Sequence, residues 1–315
     1  MFVHQLPARG SYLKEGKCGL HPGYTCCTNK IRNLFNMGSC LGSSGKADLP
    51  HDQRGGGDGM QIAGSVAVIT GAARGLGRAF TEALLARGAK VCIADIDKEA
   101  GAVTLQDLQA KYNPDNVIFV DCDVTKDEAF KGAWEAAVER LGPVSLLINN
   151  AGIGNEQNWQ KTVDVNLGGC IRGTLLGLEK MGINKSGAGG VVVNISSITG
   201  LKAAPLGPVY ASTKHAIVGL TRSLGSEFHL KYSGVKVQAL CPSLVKTDLL
   251  TNSMKNAFSP EVATAMANLA ASIKDMSAET VAEALVKLLE EGRNGACLVV
   301  AAGADPFYVD APIPS

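Results

Sequence analysis

The sequence predicts an α/β protein: a doubly wound parallel sheet with helices on both faces. Three observations carry that expectation. From Gln61 onward, short β-branched runs alternate with longer segments of helical period, as strands joined by helical crossovers do. A glycine-rich turn, Thr70-Gly71-Ala72-Ala73-Arg74-Gly75-Leu76-Gly77, separates the first strand-like run from the first helical one. The composition, 46% hydrophobic and 5% aromatic with 37 glycines in 315 residues, suits a packed sheet-and-helix core with many tight turns.

Seven strands are expected: Val66 to Ile69, Val91 to Ala94, Val117 to Val120, Leu146 to Ile148, Val191 to Ile195, Val235 to Leu240 and Leu298 to Val300. Between them, helical periods run from Arg78 to Ala86, Asp127 to Leu141, Thr162 to Met181 and Ala211 to Leu230. The last helix starts after Ser277 as N-cap, carries Val281, Leu285 and Leu288 on one face, and stops at Gly292. Residues 60–315 therefore read as one domain. Residues 1–59 read as a disordered, flexible extension, because Gly, Ser, Pro, Asn and Cys dominate there and Arg54-Gly55-Gly56-Gly57-Asp58-Gly59 has linker composition. Met37-Gly38-Ser39-Cys40 looks like an acylated start, but that modification needs glycine directly after the initiating Met.

With 30 basic against 29 acidic residues and a formal charge of +1, no basic field is present to bind nucleic acid or a membrane surface. No apolar run is long enough to span a bilayer, so no stable membrane insertion is expected. The first residues lack the layout of a secretory signal. Cys92, Cys122, Cys170, Cys241 and Cys297 fall singly within apolar segments, as free core thiols of a reducing, cytoplasmic compartment do. Cys18, Cys26, Cys27 and Cys40 lack paired CxxC spacing, and no metal is expected.

The glycine turn has the chemistry of a phosphate cradle. Gly71 permits the strand exit, Gly75 lets backbone approach a pyrophosphate, and Gly77 lets the helix lie close to the sheet, with the helix N-terminus facing the anion. Asp95 ends the second strand, 18 residues beyond Gly77, where a carboxylate accepts hydrogen bonds from a ribose and repels a 2′-phosphate. Ile96 follows instead of a basic residue, which favours NAD over NADP. Arg74 is the dissenting feature. Asp123 reads either as an adenine contact or as an exposed turn residue.

Tyr210 and Lys214 stand at i and i+4, on one helix face, where an ammonium lowers a phenol toward use as a general base. Thirteen residues upstream, Ser197 follows the fifth strand, where open α/β sheets place ligands.

This ordered set, with Asn149-Asn150-Ala151-Gly152 and Asn166, resembles the short-chain dehydrogenase/reductase family from Met60 nearly to the C-terminus. The resemblance implies a Rossmann-type strand order 3-2-1-4-5-6-7, NAD as cofactor, and a homo-oligomer. It implies Tyr210 as base, Ser197 on the substrate oxygen, Lys214 on the nicotinamide ribose, and Asn166 in a proton relay. It also implies cofactor contacts from Gly71, Arg74, Gly75, Leu76, Gly77, Asp95, Ile96, Asp123, Val124, Asn150, Ala151, Gly152 and Thr247. The short interval Asn155 to Thr162, with Gly173-Thr174-Leu175-Leu176-Gly177-Leu178 and Pro208-Val209-Tyr210, resembles the family's 15-hydroxyprostaglandin dehydrogenase branch. Two positions depart from that branch: Ser243 replaces the glycine usual after Pro242, and Gly207 stands where glutamine is usual near the substrate hydroxyl.

The expected activity is oxidation of an apolar secondary alcohol, a hydroxylated lipid such as a 15-hydroxyprostaglandin or hydroxy fatty acid. An alcohol, steroid or retinoid dehydrogenase is the alternative, and a cofactor-binding scaffold without turnover is opposed by the complete catalytic set. Residues 248–276 are expected to form a lid. Its Leu249, Leu250, Met254, Phe258, Val262, Met266 and Leu269 read equally well as a substrate wall and as packing onto the body.

Overall fold

The structure is a computed structural model and describes residues 59–309 apart from 273 and 275. The expectations placed on residues 1–58 lie outside the described residues. All seven expected strands form: β1 (Val66–Thr70), β2 (Lys90–Asp95), β3 (Val117–Asp121), β4 (Leu146–Asn149), β5 (Gly190–Ile195), β6 (Val235–Pro242) and β7 (Cys297–Val300). They pair in parallel, in the order β3-β2-β1-β4-β5-β6-β7. One strand was not foreseen. Phe307–Tyr308 forms β8, antiparallel on β7 through Leu298–Tyr308 and Val299–Phe307, and two residues are too few to leave a period in the sequence.

The helices are α1 (Gly75–Leu85), α2 (Lys98–Lys111), α3 (Asp127–Leu141), α4 (Trp159–Val163), α5 (Cys170–Met181), α6 (Pro208–Leu224), α7 (Glu227–Ser233), α8 (Asp248–Lys255), α9 (Pro260–Ser272) and α10 (Ala278–Glu291). None of the described helices is long and apolar enough to cross a membrane. Strand side chains alternate between two buried layers. Ala67, Ile69, Val91, Ile93, Leu146 and Ile148 pack with Phe80 and Leu84 of α1 and Val281 and Leu285 of α10. Val66, Val68, Cys92, Ala94 and Leu147 face the other way, onto Phe130 and Trp134 of α3 and Leu176 of α5.

Two expected helices differ in detail. The run from Thr162 to Met181 is helical throughout, but a π-helical stretch, Asp164–Gly169, joins α4 to α5 and contains Asn166. The run from Ala211 to Leu230 divides at Gly225. There the Gly225 carbonyl accepts from Asn294 Nδ2 at 2.7 Å, and a Cβ on Gly225 would lie 2.3 Å from Gly295 Cα, so the chain leaves the helix to pack backbone on backbone. Helix α2 was not among those expected. It buries only Gly101, Thr104 and Leu108, and its contact is a glycine under the Phe119 ring, so it has little apolar stripe to read.

Between the layers runs a buried polar chain. Asn149 Nδ2 donates to Asn194 Oδ1 at 2.9 Å and to Thr174 Oγ1 at 3.1 Å, and Asn194 Nδ2 donates to Thr221 Oγ1 at 3.0 Å. It ties β4 and β5 to α5 and α6, and such buried hydrogen bonds fix one register, while Asn149 Oδ1 itself is left without a hydrogen-bond partner. Gly173 makes the approach of α5 feasible, since its Cβ would stand 2.0 Å from Asn149 Oδ1 and 2.6 Å from Phe130 Cζ. Gly173→Ala is expected to cost about 1–3 kcal/mol through overpacking. Denaturant titration checks this, and an unchanged midpoint would contradict the packing account.

Candidate active site

The cleft forms where the chain reverses its winding, between β1 and β4, at the carboxyl ends of the strands. Gly71 and Gly75 have φ of +64° and +55°, a conformation that glycine adopts without strain. A Cβ on Gly77 would lie 2.3 Å from the Gly71 carbonyl oxygen, so the expected close contact of helix and turn is present. Helix α1 has no capping side chain and no acid in its first turn, leaving its amide groups directed at the cleft for an anion. Leu76 packs on the main core.

Loops are stitched together beneath this turn. Thr70 Oγ1 accepts from the amides of Asn150 and Ala151 at 3.0 and 3.1 Å, and Asn150 Nδ2 donates to the carbonyls of Thr70 and Gly71, both at 2.9 Å. Asn150, Ala151 and the glycine turn are thus one rigid unit. A Cβ on Gly152 would come 3.4 Å from Asn166 Oδ1 and 3.7 Å from Lys214 Nζ. Across the cleft, a Cβ on Gly75 would sit 3.7 Å from Thr247 Cγ2.

Asp95 is nearly buried, 9% exposed. Its Oδ2 accepts from the Ala73 amide and its Oδ1 from the Asp97 amide, each at 2.9 Å. Burial pushes its carboxyl above the ordinary value, against the pull of those amides and of the Arg74 charge. Arg74 is paired with Asp97 and reaches Asp248 at 3.5 Å. Asp97, which also caps α2 through the Ala100 amide at 3.0 Å, is a residue the sequence reading missed. Ile96 is 64% exposed beside it. At the end of β3, Asp123 accepts from both the hydroxyl and the amide of Thr125, at 2.7 and 2.9 Å. Burial acts to raise its carboxyl, and the Thr125 bonds with the charges of Lys126 and Lys161 prevail and hold it low. Val124 is buried beneath Gly169.

Asn166, Ser197, Tyr210 and Lys214 come together on the far side of the cleft. Asn166, 1% exposed, accepts from the Ile153 amide at 2.8 Å and donates to the Ile153 carbonyl at 2.9 Å and to Thr213 Oγ1 at 3.3 Å. Ser197 donates to the Pro242 carbonyl at 3.5 Å and accepts from the Thr199 amide at 3.1 Å. Lys214, 3% exposed, donates to the Ile195 carbonyl at 2.8 Å and lies 5.4 Å from the Tyr210 ring centroid. The phenol is not lowered as expected. Burial pushes Tyr210 up to about 12, with the neighbouring Ser197 hydroxyl acting to lower it, while burial pushes Lys214 down to about 8. The ammonium is directed at a backbone carbonyl.

The segment expected to form a lid folds as α8 and α9. Helix α8 buries no residue and α9 buries only Ala270. Leu249, Leu250, Met254, Val262 and Met266 are half-buried, and Phe258 and Leu269 are exposed.

Residues 65–257 match the family described as short chain dehydrogenase. The chain belongs to that family. It is therefore an oxidoreductase of the CH–OH class. It is 36% identical over 255 residues to 15-hydroxyprostaglandin dehydrogenase [NAD(+)] of Rattus norvegicus, covering 80% of this chain and 96% of that protein. It is also 31% identical to alcohol dehydrogenase 2 of Ceratitis capitata, covering 75% of this chain and 91% of that one. Among solved structures, a short-chain dehydrogenase/reductase from Burkholderia phymatum in complex with NAD matches with TM-score 0.68 and 29% identity, over 76% of this chain and 90% of that one.

Lys214 gives this site a measurable cost. Its folded value lies below the ordinary 10.5, at about 8, so the unfolded chain holds the proton more tightly. The penalty is full below pH 8 and is relieved as pH rises toward the unfolded value, about 3 kcal/mol in all at 1.36 kcal/mol per unit. Lys214→Met is expected to be the more stable protein at pH 7 by about 1–2 kcal/mol, after the lost bond to Ile195 is allowed for. That advantage should shrink above pH 8. Parallel denaturant titrations test it, and a less stable variant at pH 7 would contradict the burial account.

Proposed function

We propose that this short-chain dehydrogenase oxidises a secondary alcohol to a ketone with NAD, with a hydroxylated lipid of the 15-hydroxyprostaglandin or hydroxy fatty acid class as substrate. The observation that carries the reading is the convergence of Ser197, Tyr210 and Lys214 at the strand ends, facing a glycine turn and the Asp95 carboxylate across one cleft. NAD supplies the hydride acceptor for the carbinol carbon. Asp95 and the acidic pairing of Arg74 support NAD over NADP, because a 2′-phosphate would meet Asp95 and compete with Asp97 and Asp248 for the guanidinium.

Within that reading, Ser197 holds the substrate oxygen and Tyr210 takes the hydroxyl proton. Lys214 binds the nicotinamide ribose and Asn166 passes protons toward solvent. Gly71, Gly75, Leu76 and Gly77 present backbone to the pyrophosphate, Ile96, Asp123 and Val124 flank the adenine, and Asn150, Ala151, Gly152 and Thr247 border the nicotinamide side. Because the phenol rests near 12, oxidation depends on stabilising its anion, which Ser197 begins to do. The rate of alcohol oxidation therefore rises with pH through the neutral and alkaline range, since deprotonated Tyr210 is the reacting form.

The half-buried apolar faces of α8 and α9 support a lipid-like substrate. A second reading, a dehydrogenase of other alcohols such as steroids or retinoids, is favoured by Gly207. Its φ of −149° does not require glycine, and a Cβ there would meet Glu156 Oε1 at 3.5 Å and Tyr210 Cβ at 3.9 Å, ordinary contacts. The missing side chain leaves room beside Tyr210 and removes a polar group from the substrate hydroxyl. Among the described residues, five buried free cysteines support a cytoplasmic location. Trp159 and Leu175, 52% and 53% exposed on α4 and α5, support association into a homo-oligomer.

NADH formation with a 15-hydroxyprostaglandin beside a simple secondary alcohol tests the reading. Preference for the prostaglandin by about tenfold or more in kcat/KM is expected, one to two methylene-scale contacts sufficing for that ratio. Equal turnover of both would overturn the lipid assignment, and faster turnover with NADP than with NAD would overturn the cofactor assignment.

A further inference from the structure

We propose that Glu156 is a positioning residue that seats the Tyr210 helix and ties it to the lid; this rests on the reading of Tyr210 as the base. Helix α6 begins at Pro208 after Gly207, an N-cap residue with no side chain to offer. The amides of Val209 and Tyr210, at the second and third helical positions, are the ones an N-cap side chain ordinarily serves. Glu156 serves both from a distant loop. Its Oε2 accepts from the Val209 amide at 2.9 Å and its Oε1 from the Tyr210 amide at 3.0 Å, with the residue 5% exposed. A carboxylate is favoured at this helix end by the macrodipole. Engaging both oxygens fixes the orientation of the first turn as well as its position, and that turn carries the reacting phenol.

The same loop is fastened to the lid. The Glu156 amide donates to the Asn256 carbonyl at 3.0 Å, and Gln157 Nε2 donates to the Ala257 carbonyl at 2.8 Å. Gly154 lies so near α8 that a Cβ would stand 1.9 Å from Ser253 Oγ. Residues 154–157 thus hold the C-terminal end of α8 on one side and the first turn of α6 on the other. Displacement of the lid by substrate is transmitted through Glu156 to the backbone of Tyr210, while among the described residues no hydrogen bond joins Glu156 to the glycine turn that would hold the dinucleotide.

The test compares Glu156→Ala and Glu156→Gln with the wild type in three readouts: kcat and KM for a secondary alcohol, NADH affinity by fluorescence, and hydrogen–deuterium exchange over residues 207–212. The alanine variant is expected to lose about 10- to 100-fold in kcat, the scale of a small misplacement of a reacting group. NADH affinity should stay within about twofold and exchange at Val209 and Tyr210 should accelerate, because these amides lose their acceptor. The glutamine variant keeps the shape and one acceptor oxygen, so its kcat should fall by an intermediate factor; it decides the matter alone if the alanine variant does not fold. A kcat within twofold of wild type in either variant, or unchanged exchange at Val209 and Tyr210, would overturn the proposal. Absence of wild-type turnover on any secondary alcohol would instead remove the reading of Tyr210 as base, and the exchange measurement would still decide the Glu156 contact.

Discussion

A buried ammonium is the constraint around which the site is arranged. Lys214 is 3% exposed and is pushed down to about 8 by burial, yet it carries its proton at neutral pH. A charge in such a place demands a partner, and it has one in the Ile195 carbonyl at 2.8 Å. That bond fixes α6 against the end of β5, which places Tyr210 one helical turn earlier over Ser197. Sequence separation, strand order and helix period therefore converge on one requirement: that a cation be held beneath a phenol without an acid side chain to neutralise it.

The opposite wall obeys a steric constraint. Gly71 and Gly77 are packed so closely that one added carbon would meet backbone at 2.8 Å or less. The Thr70 and Asn150 bonds lock this contact across β1 and β4. A rigid wall with open amides and a second wall with a cation and a phenol define a cleft whose chemistry is proton and hydride movement at one carbon. Between them, α8 buries no residue.

Much of this was legible in the sequence because it is written in local patterns. The seven parallel strands show as β-branched runs, the cradle as glycines at fixed intervals, and Tyr210 with Lys214 as an i, i+4 pair. The legible elements are those with a period or a special backbone need. The short β8 and the glycine-faced α2 have neither. Asp97 and Glu156 were passed over for another reason: their partners are the Arg74 side chain and the amides of Val209 and Tyr210, and contacts across 23 and 53 or more residues leave no spacing to recognise. The net state of the phenol did not follow from the i, i+4 pair, because the burial that raises Tyr210 comes from the fold and not from the spacing. Lys214 is aimed at Ile195, and burial then governs both groups.

The most direct measurement is NADH formation from a secondary alcohol by Tyr210→Phe, with NADH binding measured alongside. Loss of the base should cost about 10²- to 10⁴-fold in turnover while leaving NADH affinity near that of the wild type, since the glycine turn, Asp95 and Lys214 are untouched. Turnover within a few-fold of wild type would contradict the account and assign the proton to another group.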